Sequence, residues 1–233
     1  MSGSLINLIY LIAGILFILG IKGLTKPKTA VRGNFLSALG MLVAVVTTLF
    51  TINDVDFTYV IAGVAVGGIV GAVMALRIQM TSMPQMVALL NGFGGGASLS
   101  IALAEYVTRT GINPTSISDF FQPTVVAASA FGEGAEATIA LVSISLTVLI
   151  GAVTLTGSLI AFSKLQELMK KSYGLPGGPF GNGILLLGAL AAVTFLVMNP
   201  GNTMAMVAIL GLALLLGLFL VMPIGGADMP VVI

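Results

Sequence analysis

Few side chains in this sequence can do chemistry, and those that can lie within long apolar stretches. The Asn91 amide can both donate and accept hydrogen bonds. Ser143, Thr147, Thr154 and Ser158 follow at offsets of four, seven and four residues, which places their hydroxyls on one helical face. Such groups can carry a chain of waters. The alternatives are an interhelical bond from Asn91 that only stabilises packing, and hydroxyl bonds to the carbonyl four residues back.

The absence of several residue types excludes whole classes of site. The sequence holds no cysteine, histidine or tryptophan. A disulfide scaffold, a Cys/His zinc site, a cysteine nucleophile and a triad on the chain's own histidine are therefore excluded. No carboxylate pair lies inside an apolar stretch, so the chain has no obvious proton carrier. A net charge of +1 and 7% aromatic residues give no case for nucleic acid binding.

The composition indicates an integral membrane protein. Of the 233 residues, 58% are hydrophobic and 7% are charged, against about 25% charged in soluble domains. Seven stretches are long enough to cross a bilayer as helices, and they lack the alternation of a barrel strand. We predict an all-α bundle of seven transmembrane helices. The predicted spans are residues 5–21, 35–51, 59–76, 84–106, 137–162, 183–198 and 204–222.

The basic residues predict the orientation of these spans. Eight of the nine Lys and Arg residues fall in the loops after the first, third and fifth spans. Basic residues concentrate on the cytoplasmic side of membrane proteins, so the N-terminus is predicted to lie outside. The basic set is Lys22, Lys26, Lys28, Arg32, Arg77, Lys164, Lys170 and Lys171. The opposite side collects Asp54, Asp56, Glu105, Asp119, Glu133 and Glu136, with Arg109.

Thirty glycines, about 13% of the chain, indicate close helix packing. Three recur every four residues in the third span, a spacing that lets helix backbones approach in lipid. Residues 92–97 superficially fit a dinucleotide-binding fingerprint, but they lie inside a span without the strand and acidic residue such a site needs. We therefore interpret these glycines as packing positions, and the run as a point where span four is broken. The packing glycines are Gly63, Gly67, Gly71, Gly94 and Gly95.

Several segments, in order along the whole chain, resemble the beta subunit of the proton-translocating nicotinamide nucleotide transhydrogenase. The segments are residues 1–3, 83–90, 151–158, 161–165 and 225–232. The resemblance implies that residues 1–233 are the membrane domain of that subunit. It also implies that the subunit continues past Ile233 into two more helices and a soluble NADP(H)-binding domain.

The resemblance further implies an activity for the assembled enzyme. Hydride passes from NADH to NADP⁺ between soluble domains, driven by protons moving inward through the membrane domain. This chain would hold no cofactor, and NAD(H) and NADP(H) would bind the associated soluble domains. The expected partners are the alpha subunit or subunits, the chain's own NADP(H)-binding domain, the lipid bilayer and a second copy of the complex. The expected location is the cell's inner (plasma) membrane.

Three residues take roles from the resemblance. Asn91 occupies a position where many relatives have a histidine implicated in proton transfer, and Ser158 matches a serine thought to line the same path. Asp228 matches an acid near the junction with the nucleotide domain. Asparagine cannot take up a proton near neutral pH, so Asn91 would orient a water instead. The absence of histidine points to family members whose histidine lies on the alpha subunit. Ser82 and Gln85 stand where relatives often have acids.

Two other functions fit the residues alone. A secondary transporter for a small solute would use a glycine-broken span four and the repeated Met-Pro start at Met83 and Met229. A structural membrane anchor would have no path of its own, and its intramembrane polar groups would tolerate apolar replacement.

Overall fold

The structure is a computed structural model that describes residues 3–51, 56–112, 128–169 and 178–225. Within these ranges it is helical without strands, and it contains the seven predicted membrane-spanning helices. The helices are α1 Gly3–Leu24, α2 Ala30–Thr51, α3 Phe57–Arg77, α4 Met83–Thr110, α5 Ala135–Leu165, α6 Pro179–Met198 and α7 Thr203–Val221. In these described ranges the prediction of an all-α chain with seven spans is confirmed, and the orientation of its N-terminus stays a prediction.

Most helices extend beyond the apolar runs that predicted them. The longest, α5, has 31 residues and a length of about 47 Å at 1.5 Å per residue. The hydrocarbon core of a bilayer is only about 30 Å thick. Hydropathy marks the part of a helix inside the hydrocarbon, whereas the hydrogen-bonded backbone continues through the interface. The sequence therefore found the helices but placed several of their ends too early or too late.

The expected break in span four is wrong. Helix α4 is continuous from Met83 to Thr110 and runs without interruption through residues 92–97. It begins with Pro84 in its first turn and ends at Gly111, whose φ of 66° is the left-handed conformation common after helices. Glycine destabilises a helix in water by up to about 1 kcal/mol. In a bilayer, leaving backbone N–H and C=O groups without hydrogen bonds costs more free energy than that, so the helix continues through the glycines. The transporter hypothesis loses one of its two supports.

The chain divides into two compact units, Met1–Val73 and Met74–Ile233. In the first unit, α1 and α2 form a hairpin. A Cβ atom on Gly33 would lie 2.6 Å from the carbonyl oxygen of Gly20, so the two backbones touch directly. Further along the hairpin, the hydroxyls of Tyr10 and Thr48 are 2.9 Å apart and hydrogen-bonded.

In the second unit, α5 is the central helix and packs against α4, α6 and α7. The buried residues of α4 form one stripe with steps of three and four, the spacing of a single helical face. This stripe consists of Ala88, Gly92, Gly95, Leu99, Ala102, Tyr106 and Thr110. Near the far end of this stripe, the Tyr106 hydroxyl donates to the carbonyl oxygen of Pro200 at 3.3 Å and the Tyr106 ring packs on Phe131.

Candidate functional site

Asn91 and Ser158 meet across the interface of α4 and α5. The Nδ2 of Asn91 donates a hydrogen bond to the Oγ of Ser158 at 2.8 Å. Ser158 is buried, whereas Asn91 remains exposed on its other side. Two residues that the resemblance places on one path are thus direct partners, 67 positions apart. Polar pairs of this kind are a signature of function or of specific packing in a membrane.

The pair lies on a cleft of about 150 Å³, here called the Asn91 cleft. Water occupies roughly 30 Å³ per molecule in the liquid, so the space suits several waters. The lining residues are Asn91, Val153, Thr154, Gly157, Ser158, Ala161 and Val221. They supply one amide and two hydroxyls, and none of these described residues can change its charge near neutral pH. The cleft can orient water, but it cannot store a proton by itself.

Small residues on the facing helices make the Asn91–Ser158 contact possible. A Cβ atom on Gly92 would lie 3.2 Å from the Cβ of Ser158, closer than side chains normally approach. One turn further, a Cβ atom on Gly95 would lie 2.9 Å from the Gly151 carbonyl oxygen, and one on Gly151 would lie 2.8 Å from the Gly95 oxygen. The helices therefore cross backbone against backbone, and this brings Asn91 within reach of Ser158.

The hydroxyl stripe of α5 divides between the two alternatives. Thr147 donates to the carbonyl of Ser143 at 2.7 Å, which is a bond to the carbonyl four residues back. Ser158 instead accepts from Asn91, and Thr154 lines the Asn91 cleft. Thr154 also lines a neighbouring cleft of about 260 Å³, with Ser98 of α4 and Thr147. Thr154 is therefore the member of the stripe that lines both clefts.

Further polar contacts gather at the end of α5, beyond the Asn91 cleft. Gln85 Nε2 donates to the carbonyl oxygen of Leu165 at 2.9 Å, and Gln166 Nε2 donates to Gln85 Oε1 at 2.8 Å. On the other side of α5, the buried Lys164 ammonium donates to the carbonyl oxygens of Met222 and Ile224, the latter at 2.7 Å. These contacts connect α5 both to the start of α4 and to the end of α7.

Comparison with known proteins identifies the family. Residues 6–233 match the sequence model of the family described as NAD(P) transhydrogenase beta subunit. The chain belongs to this transhydrogenase beta subunit family. A protein named NAD(P) transhydrogenase subunit beta from Rhodospirillum rubrum is 36% identical over 237 residues, covering all of this chain and 47% of the relative. The same values hold for a protein of that name from a designated strain of the species. The chain spans about half the length of these relatives.

The other predicted residues of this transhydrogenase family member differ in what surrounds them. Gly95 packs against α5, whereas a Cβ atom on Gly94 would meet no described atom within 4 Å. The same open space surrounds Gly63, Gly67 and Gly71 of α3, so their role in helix packing stays a prediction. Asp228 lies outside the described residues, and its coupling role also stays a prediction. No group of metal-binding side chains occurs in the described ranges.

Sequence reasoning missed the contacts that Lys164, Gln166 and Gly92 make with neighbouring helices. Lys164 was interpreted only as a topology charge and Gln166 was not singled out, while Gly92 was included in a glycine run without a separate role. Gly92 could have been found, because it lies on the stripe with steps of three and four that includes Ala88 and Gly95. The described hydrogen bonds of Lys164 go to main-chain carbonyls, which leave no residue-type signal in a sequence.

Proposed function

We propose that this chain is the proton-conducting membrane domain of a proton-translocating NAD(P) transhydrogenase. The assembled enzyme would transfer hydride from NADH to NADP⁺, giving NAD⁺ and NADPH, in soluble domains outside this chain. Membership of the beta subunit family and the seven apolar helices support this proposal. The single observation that carries it is the Asn91–Ser158 hydrogen bond on a cleft large enough for water.

The pair would conduct by ordering water and would not be charged itself. The bond to Ser158 uses one of the hydrogen-bonding positions of the Asn91 amide, which has two donors and an acceptor oxygen. Because Ser158 accepts that bond through its oxygen, its own hydroxyl proton can be donated onward. The Asn91 oxygen can therefore accept a hydrogen bond from one water, and the Ser158 hydroxyl can donate one to another. Thr154 would extend that chain from the Asn91 cleft to the neighbouring one.

The protonatable group of the path would come from another subunit. The chain holds no histidine, and the described residues lining the Asn91 cleft have no side chain that titrates near neutral pH. We assign this group to the alpha subunit, with Asn91 in the position beside it. The redox state of the bound NADP(H) domain would open the cleft to one side of the membrane or the other. Asp228 would take part in this coupling, in a dimeric complex of the inner membrane.

The test is a vesicle assay on the reconstituted full complex. We expect Asn91→Ala and Ser158→Ala each to slow proton pumping and reverse transhydrogenation by about tenfold or more, which corresponds to roughly 1.4 kcal/mol in a barrier. The matched control is Ser143→Ala on the same helix, because Ser143 is exposed and does not line the cleft. Unchanged pumping in both cleft variants would show that the proposed path is wrong.

A further inference from the structure

The end of α5 binds a different helix on each of its sides. Towards α7, the Lys164 ammonium donates to the carbonyl oxygens of Met222 and Ile224, just past the last residue of that helix. These carbonyls belong to a helix end, where main-chain oxygens lack helical partners and carry partial negative charge. A buried cation at this position both satisfies those oxygens and holds the end of α7 against α5.

Towards α4, the contacts are made by the next two residues, Leu165 at the end of α5 and its C-cap Gln166. Gln85, in the first turn of α4, donates to the carbonyl of Leu165 and accepts from the amide of Gln166. The side chain of Gln85 is therefore bonded through both its nitrogen and its oxygen. Three consecutive residues, 164–166, thus join the start of α4 and the end of α7.

The same three helices form the walls of the Asn91 cleft. Lys164 lies six residues beyond Ser158 on α5, about 9 Å along the axis at 1.5 Å per residue. Ala161, between them, lines the cleft, and so does Val221, the residue before Met222. Gln85 lies six residues before Asn91 on α4, at about the same distance. The contacts of residues 164–166 therefore lie directly beyond one end of the cleft.

Water access to the Asn91 cleft separates two explanations for these contacts. An ionisable side chain near the end of an apolar helix is costly and usually serves a function. A cap that only stabilised α7 would lower the stability of the protein when removed, and would leave the access of water to the cleft unchanged. A device that controls access to the cleft needs the charge and the donors, because these are the groups that hold the carbonyls of α7.

We propose that residues 164–166 form a latch that closes one end of the Asn91 cleft, with Lys164 as the positioning residue that holds α7 in place. When the ammonium releases the carbonyls of Met222 and Ile224, the end of α7 moves away from Ala161 and the cleft opens. The proposal deepens the proposed function, and rests on it for what the cleft conducts. Closure itself is a property of access that can be measured separately.

The test uses the full complex in open membrane fragments, so that reagent reaches both faces. The described chain has no cysteine, and Ala161→Cys therefore places a thiol at a known point in the cleft wall. A membrane-impermeant maleimide reports the access of water to that thiol, and the complex without the substitution gives the background. We expect Lys164→Met to speed labelling about tenfold, equivalent to about 1.4 kcal/mol in the opening equilibrium.

Three matched variants sharpen the result. Lys164→Arg keeps the cation and the N–H donors and should label more slowly than Lys164→Met. Lys22→Met makes the same substitution at an exposed lysine in the last turn of α1 and should leave labelling unchanged. Gln85→Leu releases the α4 side and should speed labelling less than Lys164→Met does. It also carries the test if the Lys164 variant does not assemble.

Two results would overturn the latch. Labelling at the unmodified rate in both Lys164→Met and Gln85→Leu would show that these contacts do not close the cleft. Equally fast labelling in Lys164→Arg and Lys164→Met would show that the ammonium contacts are not what holds α7. Failure of the proposed function looks different. Asn91→Ala would then pump normally, while the labelling differences among the Lys164 variants would persist.

Discussion

Helices α3 and α4 both carry regularly spaced glycines, but among the described residues a close neighbour is seen only at glycines of α4. A Cβ atom on Gly95 would lie 2.9 Å from the Gly151 carbonyl oxygen and 2.8 Å from the Thr154 Cβ. A Cβ atom on Gly63, Gly67 or Gly71 would meet no described atom within 4 Å. Glycine spacing therefore predicts a surface that allows close approach. It does not tell which helix, or which polypeptide, approaches it.

The same contrast holds within α4 itself. Gly94 and Gly95 are neighbours in sequence, but successive residues on a helix point about 100° apart. Of these two, Gly95 faces α5, as Gly92 does, whereas a Cβ atom on Gly94 would meet no described atom within 4 Å. A run of glycines thus contains packing positions and open positions side by side. Substitutions at these positions test whether contact, and not glycine content, determines the stability of the bundle.

We expect the largest effect from Gly95→Ala. The added methyl group meets the backbone of Gly151, which cannot rotate away as a side chain can. Overpacking of this kind typically costs about 1–3 kcal/mol. The measurement is the free energy of unfolding of the full-length subunit in detergent, followed by circular dichroism. A stability equal to that of the unmodified protein would mean that the α4–α5 crossing is looser than the structure shows.

Gly92→Ala should have a smaller effect on stability and a clear effect on transport. Its Cβ would lie 3.2 Å from the Cβ of Ser158, a side chain that can shift by a few tenths of an ångström. We expect a loss of at most about 1 kcal/mol, with slower proton pumping because the Asn91–Ser158 bond lengthens. Vesicle pumping assays beside unfolding measurements check this. If Gly94→Ala also slows the pumping rate per folded protein, the effect of Gly92→Ala does not come from its contact with Ser158.

Gly94→Ala should leave stability unchanged or raise it slightly. No described atom lies near the new methyl group, and alanine favours a helix over glycine by up to about 1 kcal/mol. The unfolding experiment used for Gly95→Ala provides the direct comparison, since the two positions are adjacent. A loss as large as that of Gly95→Ala would contradict the assignment of Gly94 to an open face.

Gly67→Leu should have the smallest effect on the subunit itself. No described atom lies within 4 Å of a Cβ atom at Gly67, so we expect unfolding of the isolated subunit to be unchanged. If the α3 glycines receive another subunit, the yield of assembled complex on size-exclusion chromatography should fall. Normal yield together with normal stability would show that the spacing on α3 serves no close contact.

The sequence predicted the spans because long apolar runs have one stable arrangement in a bilayer. It also singled out Asn91 and Ser158, each as a polar side chain in such a run. Their pairing could not be predicted, since it depends on which faces of α4 and α5 meet, and the contact of Gly95 with Gly151 determines that. The expected break at the glycines of α4 was wrong because helix propensities from water overestimate the effect of glycine in lipid.

The contacts of Lys164 were beyond sequence reasoning for a different reason. A basic residue after an apolar run predicts the cytoplasmic side, and that rule explains the residue without any partner. Lys164 binds the carbonyl oxygens of Met222 and Ile224, and a main-chain carbonyl oxygen occurs at every residue of every chain. Only the placement of the α7 end beside α5 makes these two oxygens special.

The α1–α2 hairpin bears on how the protein is made. Its direct contacts, from Gly20 against Gly33 to Tyr10 with Thr48, join residues fewer than 40 positions apart. Chains emerge from the ribosome at about 5–20 residues per second, and N-terminal units fold first. The hairpin can therefore form its contacts within seconds of synthesis, while α5, the helix that organises the second unit, is still to be translated. The hairpin would then be a finished piece of structure before the later helices are inserted.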